Sequence, residues 1–144
     1  MTSERRILVV DDDDAIRALL QTVLRRRGFR VAGARNGVDA LEQLDAQAHA
    51  MVILDLMMPR MNGYELLDHL SRRSPMSRPR VLVLTAGLDS RPLPADLTSD
   101  LVIGTVHKPF DIEMLIDIVT GYFSTPPANE PAAEESTVEL TGLN

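Results

Sequence analysis

A short apolar run rich in Val, Ile and Leu, followed by a stretch whose apolar residues recur every three or four positions, repeats along this chain. The pattern alternates strand and helix, and it restricts the chain to a parallel sheet with helices packed over it. Ile7-Leu8-Val9-Val10 is the first run. Ile16, Leu19, Leu20, Val23 and Leu24 then predict a helix between Asp11 and Arg27, closed by Gly28. Phe29 to Ala34, Met51 to Leu54, Val81 to Leu84 and Leu101 to Val106 are the further strands. Val38 to Gln47, Gly63 to Arg73 and Asp111 to Phe123 are the further helices. The first, third and fourth strands are apolar through most of their length, as strands covered on both faces should be. Between the fourth and fifth strands the helical signal is weak. Pro92 and Pro94 allow only a short helix from about Leu93, with Pro94 in its first turn.

With 144 residues, 44% hydrophobic and 25% charged, one core is expected and wholesale disorder is excluded. The lack of cysteine removes disulfides, thiolate chemistry and cysteine-bound zinc, which fits a reducing compartment. The N-terminal segment runs into only four apolar residues before four aspartates, too few for a signal peptide or a membrane span. A cytoplasmic protein without membrane contact is expected. The formal net charge is -6, yet four of the 21 acids lie beyond residue 123, which leaves 17 against 15 bases in residues 1–123. That near balance gives no electrostatic support for a nucleic-acid partner. Residues 124–144, rich in Pro, Ala and Glu without an apolar period, read as a disordered tail beyond a domain of residues 1–123. Val138 to Leu143 reads as a solvated end rather than a docking motif, and the tail is too polar for a helix-turn-helix.

Ligands of open parallel α/β sheets bind beyond the carboxyl ends of the strands. Those ends carry Asp11-Asp12, Asp55, Thr85-Ala86 and His107-Lys108-Pro109. Carboxylates brought together repel unless a cation sits among them, and hard oxygen donors suit Mg2+. Asp13 or Asp14, with Arg17 near, reads as an ordinary acid at a helix start. Met57, Met58 and Met61 read as loop and core filler, and Pro59 and Gly63 as residues that shape the loop. His49, His69 and His107 lack ligand spacing and are read as solvated or packed.

On these residues the chain resembles a response-regulator receiver domain of bacterial two-component signalling. The matching text is Ile7-Leu8-Val9-Val10-Asp11-Asp12, then the continuous run Val52 to Gly63, then Leu84-Thr85-Ala86, then Lys108-Pro109-Phe110. Each fragment alone is weak; all four, in order and at the strand ends, are specific. The resemblance implies a flavodoxin-like (βα)5 doubly wound parallel sheet of order 2-1-3-4-5. It implies that Asp55 is the phosphoacceptor, and that Asp11, Asp12, Asp55 and the Met57 backbone carbonyl hold Mg2+. Thr85 would hydrogen-bond the phosphoryl group and Lys108 would pair with it, beside a cis Lys108-Pro109 bond. The donor would be a histidine kinase or histidine phosphotransfer protein, and the output protein stays unidentified. The implied role is that of a stand-alone signalling module rather than an enzyme.

The chain departs from the family pattern at Thr105, where an aromatic residue is usual, and at Leu101 to Gly104, where Gly-Ala-Asp is usual. With the weak fourth helix, these departures predict a switch that does not use the customary aromatic coupling. Met57 and Gly87, two residues beyond Asp55 and Thr85, cannot orient a hydrolytic water, so slow autodephosphorylation is expected. A haloacid-dehalogenase phosphatase would need an acid at position 57, which is methionine. A degenerate receiver acting as a constitutive scaffold is disfavoured by the intact Asp11, Asp12, Asp55, Thr85 and Lys108. Lys108 is the single lysine beside fourteen arginines, and it stands where a compact ammonium on a flexible stem can follow a phosphoryl oxygen.

Overall fold

Strands form at each apolar run of the computed structural model, which describes residues 5–58, 60–85 and 101–124. The order is β1 (Arg6–Val10), α1 (Asp14–Arg26), β2 (Arg30–Ala34), α2 (Gly37–Ala46), β3 (Met51–Asp55), α3 (Gly63–Ser71), β4 (Arg80–Thr85), β5 (Val102–His107) and α4 (Ile112–Ser124). All strand pairings are parallel, in the order β2-β1-β3-β4-β5, so the expected flavodoxin-like sheet is present. The predicted short helix near Leu93 and the tail from residue 125 lie outside the described residues, as do Pro59 and Gly87.

Burial follows the order of the sheet. Every residue of β3 is buried, as are four of the five in β1 and five of the six in β4, whereas the edge strands β2 and β5 are mostly half-buried or exposed. One cluster joins Leu8, Val10, Val52 and Leu54 of the sheet to Leu44 of α2 and Leu66 and Leu70 of α3. Burial of a Leu or Val side chain is worth about 1.5–3 kcal/mol, which fixes strand register far more firmly than local propensity does. The chain divides into two compact units, residues 1–112 and 113–144. Within the second, α4 is amphipathic, with Leu115, Ile116 and Val119 buried and Glu113 and Asp117 exposed.

The helix starts explain where loops are left for chemistry. Apolar periodicity alone would begin α1 at Asp11, but Asp13 caps it, its carboxylate accepting from the Ala15 and Ile16 amides at 2.9 and 3.1 Å. Asp11 and Asp12 therefore stay in the loop after β1. Asn62 and Glu65 form a capping box at α3, each side chain accepting from the other's backbone N–H at 3.0 Å. Arg25 and Arg26 close α1, and Gly28 (φ 95°) takes the left-handed turn that leads into β2. Among the described residues, no helix is long and apolar enough to cross a membrane.

Candidate functional site

Asp11 and Asp55 end adjacent strands at the carboxyl rim, and both are buried. Asp11 continues β1 by donating its N–H to the Ala34 carbonyl at 3.1 Å, while its Oδ1 accepts from the Asp13 N–H at 2.9 Å. Asp12, next along, is exposed. Carboxylate oxygens of Asp11, Asp12 and Asp55 all lie within 4.8 Å of one another. Three acids at that distance are unfavourable by themselves. Lys108 relieves part of the repulsion, its Nζ lying 3.2 Å from Asp11 Oδ2 and 3.3 Å from Asp55 Oδ2.

Each partner is placed by a neighbouring element. Lys108 follows β5, and its N–H donates to the Thr85 carbonyl at 2.7 Å, which ties the lysine to the end of β4. The Lys108-Pro109 bond is cis. Thr85 is buried one residue beyond Leu84, the register partner of Asp55. Met57 donates its backbone N–H to Asp55 Oδ1 at 3.1 Å while its side chain is 53% exposed in the loop, and Met58 is buried. His49 is packed, with Nδ1 3.0 Å from the Gln47 carbonyl, and His69 and His107 are exposed. Thr105 is exposed on β5 opposite Val83.

Burial is the largest influence on Asp55 and pushes its carboxyl up to about 6. The Met57 N–H pulls it back down, the Asp11 charge adds to the rise, and the Lys108 ammonium opposes it. Burial also works against the charge on Lys108, but Asp11 and Asp55 outweigh it and hold the ammonium above its ordinary value. A cluster with three carboxylates and one ammonium suits a hard divalent cation, since only oxygen donors converge there.

Two further residues support the site. Arg17 is more than an ion-pair partner: it pairs with Asp14 at 2.6 Å and also donates to the Asp11 carbonyl at 2.8 Å, six residues back. Gly63 holds the loop against the strand end. A Cβ there would stand 2.5 Å from Leu56 Cα and 2.8 Å from the Asp55 carbonyl oxygen, both backbone atoms. Gly63→Ala is expected to destabilise the protein by about 1–3 kcal/mol, as overpacking against backbone does. Denaturant unfolding checks this, and an unchanged midpoint would show that the loop has room to move.

The protein is thus a flavodoxin-like sheet with clustered carboxylates and one ammonium at its carboxyl rim. The sequence matches the family described as response regulator receiver domain over residues 7–120. The chain belongs to that family, which is a signalling module. It is similar to the transcriptional regulatory protein CpxR homolog of Haemophilus influenzae, 39% identical over 113 residues that cover 77% of this chain and 47% of that protein. It thus spans about half the length of that curated relative. It is also similar to a receiver domain structure from Bermanella marisrubri, with TM-score 0.71 and 35% identity over 82% of this chain and 97% of that one. A third likeness is to the response regulator TrrA of Thermotoga maritima in complex with Mg(2+)-BeF. Its TM-score is 0.64, with 31% identity over 81% of this chain and 96% of that one.

Proposed function

We propose that Asp55 accepts a phosphoryl group from a phosphohistidine of a histidine kinase or histidine phosphotransfer protein, with Mg2+ bound, and that the modified domain changes its affinity for an output protein. The observation that carries this reading is the buried Asp55 carboxylate held between the Met57 N–H and the Lys108 ammonium, beside Asp11 and Asp12. The donor set fits the metal, and the TrrA structure, which contains Mg(2+)-BeF, is 31% identical to this chain. Asp11, Asp12, Asp55 and the Met57 carbonyl would hold the ion. When bound, Mg2+ supplies positive charge opposite the oxygens of the group being transferred.

The protein's own residues do the rest. An Asp55 oxygen forms the new O–P bond as the N–P bond to the donor imidazole breaks, and the imidazole leaves with the electron pair. Lys108 neutralises charge on a phosphoryl oxygen, and Thr85 donates a hydrogen bond to another. Arg17 keeps Asp11 in place through its backbone carbonyl. The product carries close to two negative charges where the carboxylate carried one, and it presents phosphoryl oxygens that can redirect nearby hydroxyl and ammonium groups. We place this action in the cytoplasm, where kinases draw on ATP.

Incubation with acetyl phosphate and Mg2+ tests the reading by intact mass: one phosphoryl group, about 80 Da, should appear in the wild type and not in Asp55→Ala. A gain that survives in Asp55→Ala would overturn it. The acyl phosphate should also be long-lived, because the exposed thioether of Met57 cannot orient water for attack. Met57→Asn is expected to shorten its half-life by about tenfold, as positioning a reactant can. Decay of the mass-shifted species over time measures this, and an unchanged half-life would remove Met57 from the account.

A further inference from the structure

We propose that the rim of the sheet opposite the carboxylate site docks an acidic, extended segment of a partner protein. In a parallel sheet the strand starts and the helix ends share one rim, and three of the segments on it here are residues 5–6, 25–30 and 72–80. Ten of the fourteen arginines fall in those three segments. The acids at the nearby helix ends, Asp45 and Asp68, are already engaged with Arg73 and Arg72 at 2.6 and 2.7 Å. The nearly balanced charge of the sequence therefore conceals an uneven distribution, with most of the guanidinium groups on the rim opposite Asp11, Asp12 and Asp55.

Helix ends account for part of this, since cations in a last turn favour the dipole, as Arg25 and Arg26 do for α1. They do not account for the strand starts. Arg6 and Arg30 are direct register partners on β1 and β2, and like charges side by side on neighbouring strands are destabilising. Arg6 also carries a buried Nε donor with no hydrogen-bond partner among the described residues. Arg26 and Arg30 are exposed. An acidic ligand would relieve the repulsion and supply acceptors, and guanidinium forks match carboxylates in pairs.

The surroundings favour protein over nucleic acid. Met76 is 96% exposed in the same α3–β4 turn, an apolar side chain that suits an apolar neighbour rather than a phosphodiester. Phe29, the aromatic of this rim, is buried with the Arg5 guanidinium 4.3 Å over its ring, so it offers no face for base stacking.

The test is fluorescence anisotropy of the full chain with a short labelled peptide of alternating glutamates and a central leucine, and separately with labelled duplex DNA. The peptide should bind at physiological salt with a Kd of about 100 µM or tighter. Binding should weaken at least tenfold in Arg26→Gln/Arg30→Gln, and also in Arg30→Ser alone should the double variant not fold. Arg35→Gln/Arg60→Gln, with the same change in charge on the opposite rim, should leave it unchanged. No peptide binding, equal weakening by both double variants, or tighter binding of DNA would each overturn the proposal.

Discussion

Lys108→Ala is expected to slow phosphoryl acceptance from acetyl phosphate by about a hundredfold while tightening Mg2+ binding. The two effects have one cause. The ammonium stands 3.2 and 3.3 Å from oxygens of Asp11 and Asp55, so it neutralises charge where the phosphoryl group would arrive. Removing a preorganised donor that stabilises developing charge costs a factor of about 10²–10³ in enzymes. The same ammonium repels a divalent cation and competes for its carboxylates. Its loss should therefore lower the Kd for Mg2+ severalfold, the scale of about 1 kcal/mol for neighbouring charges near water. Lys108→Arg should recover little of the rate, since a broad fork replaces a compact ammonium. Stopped-flow phosphorylation and a Mg2+ titration read the two quantities independently. A slower rate with weaker metal binding would mean that the site has collapsed, and would contradict the assigned role.

Asp55→Asn should stabilise the metal-free protein at pH 7 by on the order of 2 kcal/mol, or about 4–8 °C in Tm. Burial, reinforced by the Asp11 charge, raises the Asp55 pKa from 3.8 to about 6 in the folded protein. A raised pKa means that the native state holds its proton more tightly than the unfolded chain does. The contribution of Asp55 to stability is thus fully present below about pH 4 and is lost as pH rises through about 6. Asparagine keeps the neutral form at every pH. The gap between variant and wild type should accordingly close below pH 4 and open above pH 6. Mg2+ should narrow it again at pH 7, because the wild type gains stability from binding and the variant gains much less. Thermal unfolding at several pH values, with and without Mg2+, measures all three. A variant less stable than the wild type at pH 7 would mean that Lys108 attraction outweighs burial.

Much of this fold could be read from residue order because central strands announce themselves. Ile7 to Val10, Met51 to Leu54 and Val81 to Leu84 are continuous apolar runs, and they became the three inner strands. The site was legible for the same reason: an acid at the end of an otherwise apolar strand, as at Asp11 and Asp55, is conspicuous. Helix α1 starts three residues after Asp11 because periodicity records which face is buried and not where the cap falls; the cap is Asp13, one of the two acids expected at the helix start. The contact of Arg17 with the Asp11 carbonyl spans six residues and a change of direction, so no spacing rule reveals it. The Met57 N–H serves Asp55 from the backbone, and backbone donors leave no mark in a sequence. The clustering of arginines on one rim was hidden by the near balance of total charge, since composition carries no direction.

Formation of an acyl phosphate on Asp55 is tested most directly by treating the protein with acetyl phosphate and Mg2+, reducing with borohydride, and sequencing peptides by mass spectrometry. Reduction converts an aspartyl phosphate to homoserine, so homoserine is expected at position 55 and unmodified aspartate at positions 11 and 12. Homoserine at position 11 or 12, or its absence from all three, would contradict it.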